Sequence, residues 1–376
     1  MAERLPLQGR RVAEVLATST GGVGTHVRAV LPALGAAGAA VRVCGPSATE
    51  ALFAFTAAGA AFAPVEISAG LSPAADARAV AALRRATADA DLVHAHGLRA
   101  GLVAAAARRL GAGRDRPLVL TLHNALPEGG GALRRVLRLA ERATVRGADV
   151  VLAASADLAE NAWRQGARDV RVAPVSAPPL PPPSRPAAEV RAELGLSDGR
   201  PLVVAIGRLH PQKGYDVLLG AATRWAGDPQ PPLVAVAGDG PLHDELAARI
   251  AAERLPVVLL GRRGDVADLL AAADLAVLPS RWEARSLTAQ EALRVGTPLV
   301  ATRTGGLPEL LGDGAALVPV GDAAALADAV TALLADPARA RELAAAGTAQ
   351  AATWPDEAAT ARQLVALYRE LLGAPR

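Results

Sequence analysis

Two acidic residues, Glu283 and Glu291, stand eight apart in the stretch L-P-S-R-W-E-A-R-S-L-T-A-Q-E-A-L-R-V-G-T-P-L-V, residues 278–300. The apolar run that closes at Leu278 reads as a buried strand, and Ser286 to Val295 reads as a helix stopped by Gly296. Glu283 then lies in the turn and Glu291 inside the helix. The first N–H groups of such a helix lack backbone partners and its dipole favours negative charge, so the backbone of Ser286, Leu287 and Thr288 is a candidate anion site. Carboxylates beside an anion need other company, and a vicinal diol donates two hydrogen bonds to one carboxylate, so sugar hydroxyls fit. Spacing alone leaves open that Glu283 is a loop charge and Glu291 a solvated one.

A pair of cations sits five apart in G-R-L-H-P-Q-K-G, Gly207 to Gly214. On a strand-to-helix turn, Arg208 as a planar fork and Lys213 as a mobile point charge can converge on a diphosphate. Of the 40 basic residues 39 are Arg, a bias that reads as GC-rich coding, so the lone lysine at position 213 stands out. Near the start, T-S-T-G-G-V-G-T-H follows an apolar strand, and its Gly21, Gly22 and Gly24 would let backbone approach a ligand. The dinucleotide pattern G-x-G-x-x-G fails there, since residue 27 is Val, and a tight turn needing small residues is the alternative. His94 and His96 close one apolar run and His123 another; His94 reads as a core histidine, while His96 and His123 fall on the same rim as the glycines.

The elements that must carry these groups alternate. Strands are predicted at Arg11–Leu16, Ala40–Cys44, Asp91–Ala95, Pro117–His123 and Val150–Ala154, with helices at Pro73–Ala88, Leu98–Leu110 and Ser155–Gln165. Seven prolines then fall within residues 173–186, a density that favours stiff polyproline structure and reads as a linker. The alternation restarts with strands at Leu202–Ile206, Leu233–Ala237, Val257–Leu260, Leu275–Leu278 and Leu299–Ala301, and helices at Tyr215–Trp225 and Pro241–Glu253. The expected fold is α/β: two doubly wound, Rossmann-like domains facing each other across a cleft. The expected boundaries are 1–173, a linker at 174–186, 187–354, and a final helix at 355–376.

Composition narrows the functional classes. At 376 residues with 51% hydrophobic and 20% charged, the chain reads as an ordinary soluble protein, and its 2% aromatic content makes the cores aliphatic. A net charge of +3 with so few aromatics gives no footprint for nucleic acid. A single Cys44, no signal-peptide core and no run approaching the ~20 apolar residues of a membrane span point to a reducing, cytoplasmic setting. One feature is less ordinary: Arg134, Arg138, Arg142 and Arg146 recur every four residues, with Leu133, Val136, Leu137 and Ala140 on much of the remaining surface. Such a basic amphipathic helix is either a solvated face or a contact for anionic lipid at the inner face of a membrane, or for a phosphorylated acceptor.

The motifs also match a family. Through G-R-L-x-P-x-K-G (207–214), A-G-D-G-P (237–241), the E-x7-E pair, G-T-P-L-V-A (296–301), T-G-G-L-P-E (304–309) and T-W-P-D-E-A-A-T-A (353–361), the chain resembles the retaining glycosyltransferases of family four with the GT-B fold. The resemblance covers nearly the whole chain, is most specific from Ile206 to Glu309, and is looser in the first domain. It implies that Arg208 and Lys213 bind the diphosphate of a sugar nucleotide and stabilise the departing nucleoside diphosphate. It implies Glu291 on the ribose hydroxyls, Glu283 on a hydroxyl of the donor sugar, and the amides of Ser286, Leu287 and Thr288 on phosphate. Gly207 opens the diphosphate loop, and Arg262 falls where the family contacts the base. Gly22 and His123 would face the transferred sugar and the acceptor, and the last helix would cross back to the first domain. The sequence departs from the family's Glu-Gly-x-Gly at Glu283-Ala284-Arg285-Ser286, where Arg285 puts a cation into the donor loop.

The expected chemistry is transfer of a hexosyl group from a nucleoside-diphosphate sugar to a hydroxyl of a small molecule, glycan or lipid-linked acceptor. The resemblance implies retention through front-face attack, in which the leaving phosphate helps deprotonate the acceptor. Arg208, Lys213 and the helix dipole handle the leaving group's charge, so no cofactor, divalent ion or acidic ligand pair is expected. The alternatives are a sugar-nucleotide epimerase or sugar-phosphate condensing enzyme of the same fold, and a sugar-nucleotide-binding protein without turnover.

Overall fold

The computed structural model describes residues 5–111, 115–125, 131–196 and 199–373, without the side chains of residues 132 and 133. The chain forms two compact units, Met1–Ser176 with Pro355–Arg376, and Ala177–Trp354.

The first unit holds seven strands: β1 Arg11–Leu16, β2 Ala40–Gly45, β3 Ala61–Pro64, β4 Leu92–His96, β5 Leu118–Leu122, β6 Val150–Ala153 and β7 Val170–Val172. They pair in the order β3-β2-β1-β4-β5-β6-β7, every neighbour parallel. The central strands are buried along nearly their whole length, which is why they read as continuous apolar runs rather than alternating ones. The edge strands A-F-A-P and V-R-V carry no such run, so they escape the sequence reading. A core of Val12, Leu16, Val27, Leu31, Leu34 and Phe55 extends to Leu364, Leu367 and Tyr368 of the helix Glu357–Leu372. That last helix is fixed by its apolar face and by an ion pair of Glu370 with Arg171 at 2.6 Å.

The second unit holds β8 Leu202–Ile206, β9 Leu233–Ala237, β10 Val257–Leu259, β11 Leu275–Leu278, β12 Leu299–Thr302 and β13 Ala316–Val318, in the parallel order β10-β9-β8-β11-β12-β13. In both sheets the strand order reverses beside the first strand, between β1 and β4 and between β8 and β11. Loops leaving the carboxyl ends of those strands splay apart there and leave room for a ligand.

The proline-rich stretch has no regular structure, yet within the second unit it is tied down. Ala177 N donates to Gln290 Oε1 at 2.9 Å, and Ser184 N and Oγ donate to Asp268 at 2.6 and 2.9 Å. Proline removes N–H donors, so the few donors left in the stretch carry its anchoring.

Candidate functional site

In the second unit the chemistry collects on the loops after β8 and β11, the switch point of its sheet. Ser286 caps the helix Leu287–Val295, its Oγ accepting from Ala289 N at 3.3 Å. The N–H groups of Leu287 and Thr288 make no backbone hydrogen bond among the described residues, so the helix start keeps the donors that an anion needs. Arg208, just after Gly207, is exposed and has no ion-pair partner among the described residues. Arg262, beyond the end of β10, is likewise exposed.

Lys213 and Glu283, which the resemblance assigns separately to phosphate and to a sugar hydroxyl, are paired with each other. Lys213 Nζ donates to Glu283 Oε1 at 2.6 Å, and Ser280 Oγ donates to the same oxygen at 2.8 Å. Glu283 is 7% exposed, so without the lysine it would be a buried, unpaired charge. Three loops are joined around it: Gln212 Nε2 donates to Trp282 O at 2.9 Å, Arg281 N to Gln212 O at 2.8 Å, and Gly306 N to Glu283 O at 2.9 Å. Gly305 lies at φ 51°, and a Cβ there would collide with the Glu283 carbonyl, so the turn needs glycine twice over.

Glu291 differs. It is half-buried and has no hydrogen-bond or ion-pair partner among the described residues; burial raises its pKa, and Arg294 pulls the other way. An unpartnered carboxylate of this kind is ready to accept from hydroxyls.

The departure at Arg285 has a structural answer. Its guanidinium lies over the Trp354 ring, 5.7 Å from the centroid, with Arg294 at 5.8 Å from the same ring. Arg285 Nε and Nη2 are buried without a hydrogen-bond partner, and burial lowers the group's pKa to about 10. The indole replaces water as the company of the cation.

In the first unit Gly22 is exposed at the first position of the helix Gly22–Ala36. His123 follows β5 and His96 ends β4, and the two rings join, His96 Nδ1 to His123 Nε2 at 3.2 Å. His96 Nε2 continues to Glu14 Oε2 at 2.7 Å, and Tyr368 Oη donates to Glu14 Oε1 at 2.8 Å. His94 has both ring nitrogens engaged, with Tyr368 Oη at 2.5 Å and Thr121 Oγ1 at 2.6 Å. His26 packs edge-on against His96 and His123 at 5.8 and 5.6 Å, and its pKa falls to about 3, first through burial and then through His96. Burial also takes His94 and His123 well below the usual histidine range.

Glu14, His26 and Tyr368 are absent from the sequence reading. One signal was available: a glutamate inside the apolar strand R-V-A-E-V-L needs partners, and only the fold names them. Glu14, His94 and His96 bring ligand-type atoms within 4.8 Å of one another, a cluster that the sequence did not announce. Their contacts are hydrogen-bonded ones, and the set is complete as a proton-sharing chain. The expectation of no acidic pair also overlooks Asp89-Ala90-Asp91. That pair lies at the amino ends of the strands, where Asp89 pairs with Arg42 at 2.7 Å and Asp91 accepts from Arg11 N at 2.8 Å.

The basic helix spans Ala132–Gly147 and differs in detail from its expected face. Arg134 is half-buried, Arg146 donates to Gln165 O at 3.1 Å, and Val136 and Leu139 point outward at 51% and 67% exposure. The exposed stripe is therefore Arg135, Val136, Arg138, Leu139 and Arg142; Leu133's side chain lies outside the described residues. No helix among the described residues is long and apolar enough to cross a membrane.

Two parallel α/β sheets, each with its candidate groups on the carboxyl ends of the strands at the switch point, define the two-domain GT-B architecture. Residues 21–178 match the family model "Glycosyl transferase 4-like domain" and residues 187–350 "Glycosyl transferases group 1". The chain is 32% identical over 310 residues to the alpha-maltose-1-phosphate synthase of Mycolicibacterium smegmatis, covering 75% of this chain and 79% of that one. It is 33% identical over 310 residues to the D-inositol 3-phosphate glycosyltransferase of Nocardia farcinica, covering 75% and 67%. Among solved structures it is similar to Anabaena Alr3699/HepE in complex with UDP and glucose, with a TM-score of 0.81 at 23% identity, over 96% of this chain and 100% of that one. The chain belongs to the GT-B glycosyltransferases of family four.

Proposed function

We propose that the chain transfers a hexosyl group from a nucleoside-diphosphate sugar to a hydroxyl acceptor, with retention and without a divalent ion. The observation that carries this reading is the set of polar groups left open on the loops after β8 and β11: the Arg208 guanidinium, the N–H groups of Leu287 and Thr288, and the Glu291 carboxylate. A cation, a helix start and a carboxylate are what a diphosphate joined to a ribose would need. Lys213 sits in the same loop and releases its charge to phosphate if Glu283 turns to a sugar hydroxyl. Arg208, Lys213 and the helix start would stabilise the departing diphosphate electrostatically, the part that a divalent ion plays in other designs. His123 and Gly22 are assigned to the transferred sugar and acceptor, and Arg262 to the base. Relatives named for maltose 1-phosphate and D-inositol 3-phosphate favour a small phosphorylated acceptor, with glycans and lipid-linked acceptors as the alternatives.

A thermal-shift screen of UDP, GDP, ADP and TDP with their common sugar conjugates tests the donor site. A ligand at 100 times its dissociation constant should stabilise by about 2.7 kcal/mol, and Glu291→Ala should lose that shift. If no nucleotide stabilises the wild type, the reading fails. Turnover of the selected donor in excess EDTA, with the product's anomeric configuration read by NMR, separates retention and metal independence from their alternatives. Conversion of the donor without any acceptor would instead indicate an epimerase.

We further propose that the stripe from Arg135 to Arg142 docks on anionic lipid at the inner face of a membrane, because arginines flank two outward apolar side chains there. Near such a surface each arginine adds about 1 kcal/mol. Arg138→Gln with Arg142→Gln should therefore weaken sedimentation with phosphatidylserine vesicles by roughly 30-fold, and unchanged sedimentation would remove the idea.

A further inference from the structure

The hydrogen bonds around Glu14 form a self-consistent set when both of its oxygens accept. Glu14 lies in the middle of β1 with no exposed surface, and donors reach both of its oxygens: Tyr368 Oη–H at 2.8 Å on Oε1, and His96 Nε2 at 2.7 Å with His94 Nδ1 at 3.3 Å on Oε2. Where Glu14 accepts at both oxygens, His96 carries its proton on Nε2 and its Nδ1 must accept. The neighbour at that nitrogen is His123 Nε2, which therefore donates. Tyr368 gives its proton to Glu14, so its oxygen accepts from His94 Nδ1–H, and His94 Nε2 accepts from Thr121 Oγ1–H. Every buried polar atom in the set then has a partner of the right kind, as buried groups require. One nitrogen is left over: His123 Nδ1 has no partner among the described residues.

We propose that Glu14, acting through His96, is a positioning residue that fixes His123 in the neutral tautomer with Nε2 protonated and Nδ1 bare, so that His123 accepts a hydrogen bond from a substrate hydroxyl. Tyr368, on the last helix of the chain, completes the arrangement by donating to the same carboxylate. The direction matters for selection. A bare Nδ1 welcomes an O–H and repels a carbonyl or phosphate oxygen, whereas the opposite tautomer would do the reverse. If Glu14 instead donated a proton from Oε2 to His96 Nε2, the His96–His123 arm would turn round and leave His123 with Nδ1–H, while Tyr368 would still donate to Oε1. Partners for the two oxygens converge from β4 and from the last helix. The charged and titratable groups around the chain are His26 on the helix Gly22–Ala36, His94, Tyr368 and Cys44, and burial holds the Cys44 thiol protonated, its pKa pushed up to about 12. The use of His123 on a hydroxyl rests on the glycosyltransferase reading; its tautomer does not.

The test is a long-range proton–nitrogen NMR spectrum of the full chain labelled with [15N]histidine, which reports the protonated nitrogen of each ring. The chain has six histidines, and His94→Asn, His96→Asn and His123→Asn spectra assign the three of interest. His96 and His123 should appear as Nε2–H tautomers and His94 as Nδ1–H. His123 as the Nδ1–H tautomer, as a mixture or as an imidazolium overturns the proposal. In Glu14→Gln the amide N–H2 must find acceptors among these rings, so at least one of the three should invert or become a mixture; three unchanged rings would overturn the role of Glu14. Since no substrate enters the measurement, failure of the donor screen leaves its outcome untouched. If Glu14→Gln does not fold, the wild-type spectrum still decides the tautomer of His123, without which Glu14 has no such role.

Discussion

The two units treat their polar groups in opposite ways. On the loops after β8 and β10 and in the helix that follows β11, Arg208, Arg262 and Glu291 stand without hydrogen-bond or ion-pair partners among the described residues, and the pair that is made, Lys213 with Glu283, joins two groups each assigned to a substrate. In the first unit Glu14, His94, His96, Thr121 and Tyr368 are matched to one another or to His123 Nε2, and His123 Nδ1 is left over. The difference is one of exposure. Groups near water can wait unpaired at little cost, while groups at 0 to 9% exposure must satisfy one another before they can serve a ligand. Substitutions on the second unit's loops should therefore act mainly on substrate use, and those in the first unit's cluster on folding as well.

The largest effect is expected from Lys213→Ala. Removing a cation that meets the departing diphosphate should cost about 2 to 3 kcal/mol of transition-state stabilisation, roughly 30- to 150-fold in kcat/KM. Glu283 would lose its ion pair and keep only Ser280, so the apo melting temperature should also drop. Activity within about twofold of wild type would leave Lys213 as a purely structural partner of Glu283.

The cluster should respond differently. Tyr368→Phe deletes a hydroxyl that donates to a buried carboxylate, and hydrogen bonds to charged groups contribute about 1.5 to 3 kcal/mol. For a unit of this size that corresponds to about 3 to 12 °C in Tm. The loss should be present without ligand and should leave the nucleotide-induced shift of the second unit in place. A Tm unchanged within about 1 °C would mean that water or His94 replaces the hydroxyl, and the contrast between the two regions would weaken.

How far each region could be read from sequence follows the same line. Apolar runs such as L-V-V-A-I and L-V-A-V-A announce central strands because parallel strands are buried on both faces, and both sheets follow. The second unit's motifs were legible because a loop between a strand and a helix is local: Arg208 and Lys213 share one turn, and Ser286 caps the helix that it opens. The link of Lys213 to Glu283 spans 70 residues, and no spacing rule reports it. Glu14 and Tyr368 are 354 residues apart, and only sheet order and the last helix bring them together. Arg285 was visible as a departure from the family pattern, but Trp354, the ring that receives it, lies a further 69 positions on. Four-residue spacing of arginines does not fix which side of a helix meets the core, and Val136, grouped with the apolar residues of that helix, is half exposed.

The smallest effect, and the sharpest test of the contrast, concerns Glu291. Burial raises its pKa, so near neutral pH the folded chain holds an ionised carboxylate in surroundings that disfavour it. Linkage gives the sign. With the folded value above the unfolded one, the unfolded chain binds fewer protons between them, and stability falls as pH rises through that window and stays lower above it. Glu291→Gln removes this penalty, so the apo protein should melt higher than wild type at pH 7 to 8, with the difference vanishing near pH 4. Its ligand contacts should suffer in the opposite sense. Replacing a charge-assisted acceptor by a neutral one loses about 1 kcal/mol, roughly fivefold in nucleotide affinity. Wild-type affinity should decline as pH falls through the raised pKa, beginning above the range of an ordinary glutamate, while that of Glu291→Gln stays level. Isothermal titration from pH 5 to 8 reads both. A variant that melts lower than wild type would show that Glu291 has a protein partner in solution, and the division between open binding groups and closed structural ones would not hold at the residue on which the donor assignment leans.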